Sequence, residues 1–164
     1  MNIRILLFLS IVTFVITGCS SSRVTASLSP EIPEASYTGK GTNAGPMLVG
    51  SLGAVGVGVG IAIDKGIAKD FDKQIEIHKA KYIKNISVLL KGYFPNAESF
   101  SLSRLEFTAV RNDENLVNTS LVIKVEENSA IDFVSIELEI IKFDDLKTSD
   151  AFWQHLEKKL KKGL

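Results

Sequence analysis

The residue types able to do chemistry are few in this chain and lie far apart. There is one cysteine, Cys19, and there are two histidines, His78 and His155. A zinc site needs clustered His or Cys, which two isolated histidines do not supply. Carboxylates come together at Asp144-Asp145 and at Asp70-Phe71-Asp72. Each pair falls at the end of an expected element or on a solvated helix face, so neither reads as a catalytic dyad. A serine nucleophile elbow would read GxSxG, and Gly50-Ser51-Leu52-Gly53 has the wrong spacing. Gly39-Lys40-Gly41-Thr42 has the composition of a phosphate loop, but there the lysine precedes Ser or Thr directly. Here Gly41 follows Lys40. The expectation is a protein that is not an enzyme and holds no metal. Cys19 has no second cysteine with which to form a disulfide in the chain, so its use must be sought in its surroundings.

Those surroundings are specific. Met1 to Arg4 is a short positive start, and Ile5 to Ile16 is an apolar run interrupted only by Ser10 and Thr13. The run has the length of a secretory h-region and is short for a bilayer span. The four residues Ile16-Thr17-Gly18-Cys19 resemble the lipobox of bacterial lipoproteins. The resemblance implies removal of residues 1–18 as a signal peptide and a covalent diacylglycerol and N-acyl chain on Cys19, with membrane lipid as the partner of that residue and no other cofactor. Acyl chains contribute about 0.8 kcal/mol per buried methylene, so several on one cysteine give lasting attachment. The competing readings are an ordinary signal peptide with an incidental cysteine and a short N-terminal membrane helix. In the lipoprotein family a serine after the cysteine, here Ser20, implies sorting to the outer membrane, facing the periplasm, with the inner membrane as the alternative.

Removal of residues 1–18 takes one arginine with it and leaves 146 residues with 18 basic and 19 acidic side chains. That balance creates no global field for nucleic acid, and no strand interleaves aromatic with basic residues as nucleic-acid sheets do. No nucleic-acid partner is expected.

The elements that follow divide into three parts. Residues 19–45 are rich in Ser, Thr, Pro, Gly and Ala, with Pro30 and Pro33 close together and no apolar period, which predicts a lipidated flexible tether. Residues 46–63 form a glycine-rich apolar segment, the end of a charge-free run of 23 residues from Gly41 to Ile63. At a step of four, Gly50, Ala54, Gly58, Ala62 and Gly66 make one small-residue stripe, with Gly56 and Gly60 beside it. Such a stripe on a helix lets another backbone approach closely. At a step of two, Val55, Val57, Val59, Ile61 and Ile63 share a face, as in a tilted membrane strand. The helix is the favoured reading, a strand, buried hairpin or linker the others. The segment resembles the glycine-zipper segments of small bacterial envelope lipoproteins.

Residues 64–164 read as a small α+β periplasmic domain. Ile67, Phe71, Ile75, His78, Tyr82, Ile86 and Leu89 recur at helical spacing opposite a lysine-rich face, predicting a long amphipathic helix ending at Lys91 with Gly92 in a left-handed cap. Alternating stretches over 100–110, 119–125 and 131–143 predict a three-stranded antiparallel meander, with a phase change near Ser103-Arg104 and Val134, Ile136, Leu138 and Ile140 facing inward. A final helix starts at Ser149-Asp150 and ends among Lys158, Lys159, Lys161 and Lys162. Those lysines suit either a solvated helix end or anionic head groups.

The expected fold class is therefore α+β: a three-stranded meander packed with a long helix before it and a C-terminal helix after it. The expected function is a membrane-anchored, non-catalytic structural or accessory component of the envelope. In it the glycine-rich segment self-associates or inserts, making a homo-oligomer, or the domain docks an envelope protein. The alternative is a periplasmic module holding an apolar ligand such as lipid between sheet and helix.

Overall fold

The computed structural model describes residues 26–164, and Cys19 and the segment 1–25 lie outside the described residues. The element order is β1 (Ser36–Thr38), α1 (Lys40–Leu52), α2 (Ala54–Tyr93), β2 (Ser99–Val110), β3 (Asp113–Glu127), β4 (Ala130–Glu137), β5 (Ile141–Lys142), α3 (Phe143–Thr148) and α4 (Ala151–Lys162). The class is α+β, with a largely antiparallel sheet covered on one face by helices.

The lower part of α2 forms because its apolar residues return every three or four positions. Ala68, Phe71, Ile75, Tyr82, Ile86 and Leu90 are buried against the sheet, with Ile67 and Leu89 half-buried. The helix runs on past Lys91 to Tyr93, and Gly92 takes no left-handed conformation. Phe94 closes the helix instead, donating its N–H to the Leu90 carbonyl at 2.9 Å. It precedes Pro95, and the residue before a proline is pushed out of the helical region.

Strands β2, β3 and β4 pair as the antiparallel meander that alternation predicts. The pairing slips between Leu102 and Arg104, and this bulge keeps Leu105 and Phe107 on the inner face with Phe100 and Leu102. The β3–β4 turn is two residues, Asn128 and Ser129, at φ 49° and 68°, the left-handed pair whose twist matches the flanking strands. The last strand departs from its expected phase. It breaks after Glu137, so Ile140 is half-exposed at 51% and Ile141 is buried at 1%. Ile141 and Lys142 then pair with β3 as a separate short strand, and Phe143 opens α3 rather than closing a strand.

The larger departure concerns the expected tether. Its described part, residues 26–45, is built into the fold. The Leu28 amide donates to the Ser87 hydroxyl at 2.8 Å, and the Ala35 amide to the Asp72 carboxylate at 2.9 Å. Leu28 bridges to Phe100, and β1 pairs in parallel with β2 from Ser36–Glu106 to Thr38–Thr108. Residues 28–38 thus run between the edge of β2 and the side of α2. Ala26, Leu28 and Tyr37 bury their side chains there, which offsets the entropy of ordering a segment of linker-like composition.

Between sheet and helices the interior is filled by aromatic rings. Phe71 lies 4.9 Å from Phe107 and 5.5 Å from Phe143, ring centre to ring centre, and Tyr37 meets Phe71 edge-on at 5.6 Å. Trp153, on α4, is 1% exposed and donates its Nε1–H to the Ile75 carbonyl at 2.9 Å. This space, where an apolar ligand would sit under the alternative reading, holds side chains.

Candidate functional site

The feature not used by this core is the pair α1 and the first turns of α2. A chain reversal separates them at Gly53, whose φ of 62° and ψ of −147° suit a residue without a β-carbon. The apolar segment is thus helical, as favoured, but it is a hairpin of two antiparallel helices rather than one continuous helix. Its two helices touch through backbone. A β-carbon on Gly41 would lie 1.9 Å from the Gly60 carbonyl oxygen, and one on Gly56 would lie 2.4 Å from the carbonyl carbon of Leu48. Gly41, Gly56 and Gly60 are the buried glycines of the pair.

At the base of the hairpin Asp64 is 4% exposed. Its carboxylate accepts the amides of Gly41 at 2.7 Å, Thr42 at 3.0 Å and Gly39 at 3.2 Å, and the Thr42 hydroxyl at 2.5 Å. These are the free N–H groups at the start of α1, where the helix dipole favours an anion. The N-cap position itself is Gly39, which has no side chain, so Asp64 caps α1 from the neighbouring helix and fastens α1 to α2. The glycine-rich sequence Gly39-Lys40-Gly41-Thr42 does cradle an oxyanion, and the oxyanion is the chain's own. Asp64 is also the first charge after the 23 uncharged residues, a signal by which the clasp could have been found.

Above Asp64 the hairpin presents apolar surface to solvent. Met47 is 81% exposed, Val55 69%, Leu52 52% and Ile61 50%, and Val49, Val57, Val59 and Ile63 are exposed as well. Monomeric proteins rarely leave so contiguous an apolar surface uncovered. Among the described residues no helix is long and apolar enough to cross a membrane.

The expected stripe is divided by the turn. Gly50 is on α1, while Ala54, Gly58, Ala62 and Gly66 stay together on α2, on the side away from α1. All five are exposed, and added β-carbons at Gly50, Gly58 and Gly66 would meet no described residue within 4 Å. The close approach expected of this stripe is made inside the chain by Gly41 on α1 and by Gly56 and Gly60 on α2, two residues from the stripe and on the opposite side of α2. Signals for that offset were present in the flanking glycines, but the turn at Gly53 is hidden among similar residues.

Other candidates serve the structure. Asp72 is raised above its ordinary pKa by burial, with the Ala35 amide opposing. Asp70 pairs with Lys147 at 2.9 Å, and Asp144 and Asp145 occupy the first turn of α3. His78 is half-buried on the edge of the α2 stripe. An open groove of about 610 Å³ beside β1 is lined by Tyr37, Asp64, Lys65, Lys69 and Asp72, among others. Of the four C-terminal lysines, Lys158 and Lys162 both reach Glu139 at 2.6 Å, and Lys161 pairs with Glu157 at 2.7 Å. Among the described residues no three His, Cys, Asp or Glu side chains converge as a metal site.

Comparison with protein-family models, with curated proteins and with solved structures gives no match for this chain.

Proposed function

We propose that this chain is a lipid-anchored envelope protein with a non-catalytic structural or accessory role. In this reading Cys19 carries the acyl chains, the hairpin 40–63 self-associates or enters a membrane, and the α+β domain docks an envelope partner. The observation that carries the reading is the exposed apolar hairpin. A run of 23 residues without charge stands outside the core as two helices fastened together at their base by the Asp64 carboxylate. Burial of such a surface yields roughly 25 cal/mol per Å², so its exposure in an isolated chain favours a covering partner. The lipobox residues Ile16 to Cys19 supply the compartment in which that partner is met.

The test is fractionation of cells producing the full chain or its Cys19→Ser variant. The expected outcome is acylated protein in the outer-membrane fraction, and an unprocessed or released variant. Normal maturation and membrane recovery of Cys19→Ser would overturn the anchor.

A further inference from the structure

Resting on that reading, we propose that the face covering the hairpin is the hairpin of a second copy anchored in the same membrane, side by side and parallel, and that the anchoring bilayer does not cover it. The argument is one of reach. The described chain begins at Ala26, and Ser27 and Ser29 bond to Phe100, level with Ser87 of α2. The hairpin clasp is at Asp64 and its turn at Gly53. At 1.5 Å per helical residue, the level of Ser87 is about 35 Å from Asp64 and about 50 Å from the turn. The seven steps from Cys19 to Ala26 span at most about 25 Å when fully extended. If the hairpin entered the bilayer tip-first as far as Asp64, residues 27–29 would stand about 35 Å above the surface, beyond what the tether can cover. Anchor and hairpin leave the domain at opposite ends.

Anchoring has a second consequence. Every copy in one membrane holds its hairpin on the same side and at about the same height, and confinement to a surface raises the effective concentration of one for another. The face of α2 away from α1 is shaped for such an encounter. Ala54, Gly58 and Ala62 form a shallow floor, with Val55 and Val59 along one side and Val57 and Ile61 along the other, all exposed. The surface carries no charge, so two identical faces meet without repulsion, as a two-fold interface requires. Below Asp64 the same face bears Lys65, Lys69 and Lys73. Small-residue packing crosses helices at about 40°. Axes crossing at Gly58 are therefore splayed sideways by roughly 10 Å at Lys69, which relieves the like charges.

The test uses the full lipidated chain with single cysteines at Gly58→Cys, Ala62→Cys and, as a control on the outer sheet face, Ser101→Cys. Gly58 and Ala62 are exposed and Gly58 has open space, so the fold accepts both. Under mild oxidation in vesicles, Gly58→Cys and Ala62→Cys are each expected to give a band at twice the monomer mass, and Ser101→Cys none. Antiparallel copies would crosslink at one hairpin position at most, and that pattern refutes the parallel arrangement. A fluorophore on Gly58→Cys is expected to escape quenching by spin-labelled lipid. Quenching without crosslinking would overturn the second copy as occupant while leaving the envelope reading intact, as would the absence of both with the protein still anchored. Crosslinking of the unsubstituted chain through a free Cys19 would overturn the lipid anchor itself.

Discussion

Replacing Asp64 tests the clasp directly. Its carboxylate holds four donors at the start of α1, the amides of Gly39, Gly41 and Thr42 and the Thr42 hydroxyl. Hydrogen bonds to a charged group contribute about 1.5–3 kcal/mol each, which as a sum exceeds what can be measured, because an opened hairpin returns its donors to water. Loss of an N-cap alone costs about 0.5–2 kcal/mol, and a buried donor left without its acceptor about 1–3 kcal/mol. The expected loss for Asp64→Ala is therefore about 3 kcal/mol of local opening free energy, or roughly a 100-fold loss of amide protection, confined to residues 40–53. Asp64→Asn keeps one acceptor oxygen and should fall between the two. Hydrogen–deuterium exchange of the detergent-solubilised chain reads this out by peptide. Sheet peptides from β2 and β3 should keep their protection, since their core lies with Phe71, Phe107 and Trp153. Unchanged exchange over 40–53, or equal loss across the sheet, would refute the role given to Asp64.

The glycines divide into two groups with opposite expected effects. Gly60→Leu places a side chain where a β-carbon would sit 2.5 Å from the Gly41 carbonyl oxygen, so α1 should separate from α2, seen as exchange over 40–53. Gly58→Leu should leave that exchange unchanged and weaken self-association by light scattering. The reverse pattern would refute the assignment of faces. His155 is held below its ordinary pKa of 6.5, first by burial and then by Lys158, and its Nδ1 has no partner among the described residues. A depressed imidazole favours the folded state fully above pH 6.5 and less as pH falls and the unfolded chain takes up the proton first. The melting temperature should therefore drop between pH 7 and pH 5, and His155→Gln should flatten that slope. A slope unchanged by the substitution would assign it to other groups.

The parts of the fold legible in the sequence are those whose signal is local. The α2 stripe around Phe71, Ile75, Tyr82 and Ile86 follows from helical spacing, and the bulge at Ser103-Arg104 from a slip in alternation. What escaped is set by distant contacts. Residues 26–38 have linker composition, and contacts distant in sequence order them: Ser87, Asp72, Lys79, the edge of β2 and the packing of Tyr37 on Phe71. The three residues of β1 are too short for a period. Gly53 reverses the chain with the same residue type that elsewhere permits close packing, so nothing nearby distinguishes a turn from a contact. The small stripe was found, and its division between two helices was not, because a step of four assumes that the helix continues.

The path of residues 28–38 has a mechanical meaning. Under the proposed anchoring, the anchored end joins the domain at the Phe100 end of β2, where Leu28 makes a single bridge, and the chain then runs on to the three parallel pairs of Ser36–Thr38 with Glu106–Thr108. Drag on the domain, or a pull on whatever holds the hairpin, draws the segment along its own axis. The β1–β2 bonds run across that axis, and the Ser87 and Asp72 contacts hold the segment further along its length, so they share the load in shear rather than opening one after another. Under that anchoring, the same eleven residues that look like slack cord would join anchor to domain as a lap seam.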